Sequence, residues 1–447
     1  MATTGKSTGA VPDAVAACPL RLSGVTEQVD HGPSVRSLVA LAWPALAIGV
    51  LSGLLMAGVN WIAHGLEDGL WQALPDALGI ASDGTFWIIA VLTATGVAVG
   101  LTVWLAPGHA GDDPAKSELV SAPLRLVALP GVAIALIIGL AGGVSLGPEN
   151  PIIAIAVGLS VWLAARITPK TPAGTIVIIA TAGILGAMFG SPLAAALLLT
   201  EMLGEMKQGG SMWDKLFAPL IAASTGAIVT ILIGEGMTLP QLPEYSLGHA
   251  IDLVSALGIA AVAAGLGVLT AIALPTLHRL LHSLRHPVLY LGVGGLVLGV
   301  LGAIGGTVTL FKGADQSAQL VSDAPGMSVG HLALVTGVKV AALLVAAAAS
   351  FRGGRIFPSL FIGVALGLFI NGLIPGIPVT LAVACATMGY VLGISHSGWL
   401  AIFIAAAVAG SPAILGMLCL AILPAWLIVT RAPRMIVVDA ESEPART

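Results

Sequence analysis

Long apolar runs dominate the chain, and short polar breaks punctuate them. Runs long enough to cross a bilayer fall near residues 37–59, 86–106, 123–142, 174–204, 215–234, 250–275, 287–311, 331–350 and 378–430; one span needs about 20 apolar residues. Several runs carry glycine or proline, so helices should outnumber runs. Two more apolar stretches, Ile152–Leu159 and Ser359–Leu366, each follow a Gly/Pro-rich segment. The pattern predicts an all-α polytopic membrane protein whose helices are discontinuous within the bilayer.

Composition agrees. Hydrophobic residues make up 57% of the chain and charged residues 9%, against about 25% charged in a soluble domain. So few charges cannot cover a water-facing surface. The net charge of -4 comes without a basic tract, which excludes a nucleic-acid partner. Cys18, Cys385 and Cys419 lie far apart and form neither a disulfide framework nor a metal spacing.

The polar loops assign sides. Lys207, Lys215, Arg279, Arg285, Arg431 and Arg434 are expected in the cytoplasm by the positive-inside tendency. The acidic loop His64–Asp83 and the stretch Pro240–His249 are expected outside. Residues 1–36 read as a flexible polar leader without signal-peptide features. Residues 37–430 form the transmembrane domain, and 431–447 a short tail; both termini are expected in the cytoplasm, in a bacterial plasma membrane.

An internal repeat divides the domain near 37–235 and 250–430. Gly143–Pro151 precedes one apolar run and Gly353–Pro358 another. Further on, Gly183–Ser191 resembles Gly389–Ser397 at nearly the same offset. Paired Gly/Pro-interrupted segments in corresponding halves point to a transport site between the repeats.

The chemistry follows from those interruptions. A helix starting near Pro151 would aim unpaired N–H groups back into Gly147-Pro148-Glu149-Asn150, and one starting near Pro358 would do the same over Gly354-Arg355-Ile356-Phe357. Helix N-termini attract anions through their dipole and free amides. Two of them converging make an anion cradle. Glu149 sits in that cradle, and an ionisable residue inside the membrane is a functional candidate. Its carboxylate can occupy an anion position and leave on protonation, which makes it a gate. The alternative role is a helix-capping carboxylate.

At these motifs the sequence resembles the CLC family of chloride channels and proton-coupled chloride transporters. The family's G-x-E-x-P motif is matched by Gly147-Pro148-Glu149-Asn150-Pro151, and its G-x-F-x-P motif by Gly354-Arg355-Ile356-Phe357-Pro358, with Ile356 at the Phe position. Gly190-Ser191-Pro192-Leu193-Ala194, followed by Glu201, resembles a further family segment. The resemblance covers about residues 40–430. It implies an inverted-topology repeat with discontinuous, tilted helices and passage of chloride or a similar small anion. It also implies a homodimer with one pathway per chain. The anion is then the bound ligand, and no cofactor is expected. Gating falls to Glu149. Anion contacts fall to Gly147, Pro148, Asn150, Gly354, Arg355, Ile356 and Phe357.

Three departures stand out. Pro107–Pro114 replaces the family's G-S-G-I-P motif, and Asp112 or Asp113 stands where the anion-contacting serine would be, with Lys116 as a candidate partner. The family's inner-gate tyrosine has no match in Thr430–Val437; Tyr390 is a distant substitute. Where proton-exchanging members have an inner glutamate after the Glu201 position, this chain has Met202. Glu201 and Glu205 are left as candidates for a proton path, so uncoupled anion passage is the alternative to exchange. Transport of another small solute is a further alternative. An intramembrane enzyme is disfavoured, because no H-E-x-x-H or G-x-S-x-G pattern occurs. Lys339, mid-span, needs a partner or water. It is read either as a positive charge for the anion path or as a structural pairing. His396 is read as a pore residue or a local hydrogen-bonder.

Overall fold

Left-handed turn residues break the apolar runs, whereas Pro44, Pro219, Pro275 and Pro424 lie inside helices. In the computed structural model, residues 34–117, 123–204, 211–246 and 248–438 are described. The leader up to residue 33, Glu205 and the tail beyond 438 lie outside them. The first repeat contains α1 (Val35–Asp68), α2 (Leu74–Leu78), α3 (Thr85–Leu105), α4 (Leu129–Ala141), α5 (Glu149–Ile167), α6 (Ala173–Phe189), α7 (Pro192–Gly204) and α8 (Met212–Ile233). The second contains α9 (Ala250–His282), α10 (Pro287–Gly305), α11 (Ala314–Asp323), α12 (Val329–Ala348), α13 (Ile356–Leu373), α14 (Val379–Ser395), α15 (Gly398–Ala409) and α16 (Ile414–Val429). Among the described residues, 8 helices are long and apolar enough to cross a membrane.

Helices do outnumber runs. The run 174–204 splits at Gly190, which ends α6 in a left-handed conformation (φ 61°). The run 378–430 splits twice, first at His396, which holds the equivalent left-handed position after α14 (φ 55°). One expectation needs correction. The acidic stretch His64–Asp83 is mostly helical rather than a loop: α1 runs on to Asp68 and passes through a π-helical turn into α2. No proline interrupts that stretch before Pro75, at the start of α2.

The repeats meet about a pseudo-two-fold axis. Gly147 and Gly354, equivalent residues of the two halves, form an antiparallel bridge: the Gly147 N–H donates to the Gly354 carbonyl at 2.9 Å, and the Gly354 N–H returns the bond at 2.7 Å. Equivalent residues running in opposite directions through one bridge place the axis there, as inverted topology requires. Near the same axis α3 packs against its counterpart α10. A Cβ on Gly96 would lie 2.3 Å from the Leu291 carbonyl oxygen, and one on Gly295 2.3 Å from that of Leu92. Only glycine lets these backbones approach so closely, a usual device where helices associate in lipid. Large apolar side chains such as Trp61, Leu232 and Leu427 point outward, as a lipid-facing surface requires.

Lys339 turns out to be structural. Its ammonium donates to the carbonyls of Thr309, Leu310 and Phe311 at 2.9, 3.0 and 2.8 Å and lies 4.9 Å from the Phe361 ring centre. The reading of this residue as a charge on the anion path is therefore set aside. Three carbonyls that would face apolar surroundings are satisfied by one cation. Replacing Lys339 with methionine is expected to lower stability by about 3 kcal/mol or more, since each buried acceptor left unpaired costs about 1–3 kcal/mol. Thermal unfolding in detergent checks this; an unchanged midpoint would show that the clamp is dispensable.

Candidate functional site: two helix starts and a buried glutamate

Two short helix starts build the centre. The first i-to-i−4 bonds of α5 and α13 are donated by Ile152 to Pro148 (2.9 Å) and by Ser359 to Arg355 (3.1 Å). Pro151 and Pro358 have no N–H. The amides of Glu149 and Asn150, and of Ile356 and Phe357, therefore precede the first intrahelical bonds. Their helix dipoles add a partial positive charge at the same place.

The Glu149 side chain is fully buried and fills the space between the two starts. Its Oε1 accepts a 2.7 Å hydrogen bond from the Phe357 N–H. The amides of Ile356 and of Glu149 itself also face the carboxylate. Oε2 lacks a hydrogen-bond partner among the described residues. The fit is tight against the bridging glycines: a Cβ on Gly354 would lie 1.9 Å from Oε2, and one on Gly147 2.4 Å from it. Phe357 also supplies an apolar wall, its ring 5.8 Å from that of Phe189, which in turn lies 5.9 Å from Phe403.

The expected anion contacts divide into two groups. Gly147, Pro148, Gly354, Ile356 and Phe357 gather round Glu149, Pro148 as the residue capping α5. Arg355 turns away: its guanidinium donates to the Met435 and Pro114 carbonyls. Asn150 and Arg355 line a cavity of about 220 Å³, together with Glu201, His396, Ser397 and Arg434. Asp112 lines a smaller cavity of about 30 Å³ with Asn150 and Arg352.

Glu201 occupies a defined position. Its Oε1 accepts from the Gly398 N–H at 3.1 Å and its Oε2 from the Ser397 hydroxyl. It thereby caps α15 from α7, across the repeat interface. Glu205 lies outside the described residues. Tyr390 is buried between α14 and α9, with its hydroxyl 3.2 Å from that of Thr270, so it does not serve the cavity. His396 does line it.

Arg352, Lys312 and the His278 partner of Asp113 escaped the sequence reading. Arg352 is buried and donates to the carbonyls of His109, Ala110 and Gly111 at 2.8, 2.8 and 3.1 Å. It pins the atypical loop after α3. Asp113 in that loop meets His278 at 2.9 Å. Burial alone would push the Asp113 carboxyl up, but hydrogen bonds from His278 and the Ala115 amide hold it well below the usual carboxylate range. Lys312, paired with Asp315 at 3.3 Å, lies close enough for its charge to act on Glu149. No local motif marks these residues; each acts across the fold.

The comparisons with known proteins agree with this architecture. A family model described as "Voltage gated chloride channel" matches residues 96–430. The chain belongs to the voltage-gated chloride channel family. Its relatives include a protein of Escherichia fergusonii named "Putative ion-transport protein YfeO", 45% identical over 412 residues that cover 92% of this chain and 98% of the relative. The protein of that name from Escherichia coli strain K12 / DH10B gives the same identity and coverage. Among solved structures, a slow cyanobacterial Cl−/H+ antiporter superposes with a TM-score of 0.76 at 17% identity, covering 90% of this chain and 96% of that one. A CLC-type fluoride/proton antiporter gives a TM-score of 0.70 at 20% identity, covering 91% and 100%. At such identities the likeness concerns the fold. The chain is an integral membrane protein of an ion-transport family.

Proposed function

We propose that the protein passes chloride or a similar small anion across the membrane, with Glu149 as the gate. The observation that carries this reading is the buried Glu149 carboxylate on the Phe357 amide, between two helix starts of opposite repeats. The carboxylate is itself an anion held by amides and helix dipoles, so its place suits a transported anion. A cradle that holds its anion on amides rather than on a cation binds weakly enough to release it. By family resemblance the working unit is a homodimer with one path per chain. By loop charge both termini face the cytoplasm, which puts the cavity lined by Arg434 on the inner side.

The alternative of uncoupled passage is favoured by a specific observation. Both oxygens of Glu201 are engaged at the start of α15, and Met202 follows it on the wall of the same cavity. Glu201 then serves as a cap rather than a proton carrier. Chloride efflux from proteoliposomes with simultaneous pH recording tests both points. Wild type is expected to pass chloride. Glu201→Gln is expected to keep its flux within about twofold, since glutamine retains an acceptor for the Gly398 amide. Selective loss of proton movement in that variant would return Glu201 to a proton path.

A further inference from the structure

Away from the cradle, three ligand-type side chains converge where α9 ends. Asp113, His278 and His282 each offer one ligand atom, and these atoms lie within 4.8 Å of one another. We propose that they form a binding site for a transition-metal ion of zinc chemistry. None of the three lines either cavity beside the cradle, and the proposal does not depend on what the path carries.

The helix sets the first part of the geometry. His278 and His282 are one turn apart, so they share a face of α9, and their rings stack at 3.8 Å between centroids. The His282 ring also stacks on Tyr290 at 4.2 Å. Its Nδ1 lies 3.0 Å from the His278 carbonyl oxygen. A carbonyl only accepts, so Nδ1 carries the proton and Nε2 presents a lone pair. Metal-binding histidines are usually oriented by this kind of bond from the second nitrogen.

Two other chain segments complete the site. The Asp113 Oδ2 lies 2.9 Å from His278 Nε2, and the Ser350 hydroxyl lies 3.2 Å from His282 Nε2. Two imidazoles and a carboxylate, with water as fourth ligand, are a donor set that zinc takes tetrahedrally; the stacked rings turn toward one another as the ligand atoms, now within 4.8 Å, draw in on the ion. Hard cations such as magnesium prefer all-oxygen shells. Without metal, the His278 N–H can bond the carboxylate; metal entry displaces that proton. Arg352, one of the nearby cations, directs its guanidinium at the backbone oxygens of His109, Ala110, Gly111 and Ser350. It leaves the Asp113 oxygen facing His278.

A metal here would tie α9, the loop after α3 and the Ser350–Gly354 segment together. The last of these leads into the bridging glycine of the cradle.

Calorimetric titration of zinc into chelator-treated full-length protein in detergent tests the proposal. Saturable binding of one ion per chain is expected, with a zinc-dependent rise in the melting temperature and no competition from excess magnesium. His282→Gln and Asp113→Asn should each weaken binding by at least about tenfold, and His331→Gln, distant on α12, should leave it unchanged. His282→Gln alone decides the matter if Asp113→Asn does not fold, since His282 is only half-buried. The proposal is overturned if wild type shows no saturable zinc binding, if magnesium competes, or if His282→Gln binds as wild type does.

Discussion

Replacing Glu149 with alanine is expected to raise chloride efflux from proteoliposomes about ten- to hundredfold at neutral pH and to flatten its pH dependence. A hydrogen bond to a charged group is worth about 1.5–3 kcal/mol, which converts to about ten- to hundredfold in occupancy. The bond in question runs from the Phe357 N–H to Glu149 Oε1 at 2.7 Å. The sign with pH follows from the charge. The ionised carboxylate is held by amides and helix dipoles. Protonation removes the charge that holds it, so wild-type flux should rise as pH falls. Alanine has nothing to protonate, and its flux should stay high throughout. A chloride-selective electrode over a pH series reads both features. A slower, still pH-dependent alanine variant would remove Glu149 from the gate.

Gly354→Ala is expected to act in the opposite direction, lowering flux at least tenfold. The added Cβ would sit 1.9 Å from Glu149 Oε2 and 2.8 Å from Glu149 Cβ. The Glu149 side chain can move away, but the methyl group then stands where the anion would. The double variant Gly354→Ala/Glu149→Ala should therefore stay slow, in contrast to Glu149→Ala alone. Restored flux in the double variant would show that the glycine matters only by making room for the glutamate. Size-exclusion profiles separate either outcome from misfolding.

These two residues were legible in the sequence because each lies in a short local pattern. The proline at the third position of α5 and α13 announces a helix start. The repeat was legible for the same reason, since two separate patterns keep their spacing. Other features depend on pairing across the fold. Arg352 bonds carbonyls 242 positions away, and His278 meets Asp113 across 165; no spacing rule reaches so far. Lys339, mid-span, reads as needing a partner, but three backbone carbonyls leave no signature in side-chain identity. The acidic stretch His64–Asp83 reads as a loop by its charge. It contains no helix-breaking proline until the start of α2, so the helix continues through it.

In the proposed function the Glu149 carboxylate occupies an anion's place. The most direct measurement is the anomalous signal of bromide in crystals of Glu149→Gln, a variant that keeps the side-chain shape but lacks the charge. A bromide ion within hydrogen-bonding reach of the Phe357 amide, between Gly147 and Gly354, is the predicted result. Bromide bound only elsewhere, in a variant that still transports it, would contradict the account.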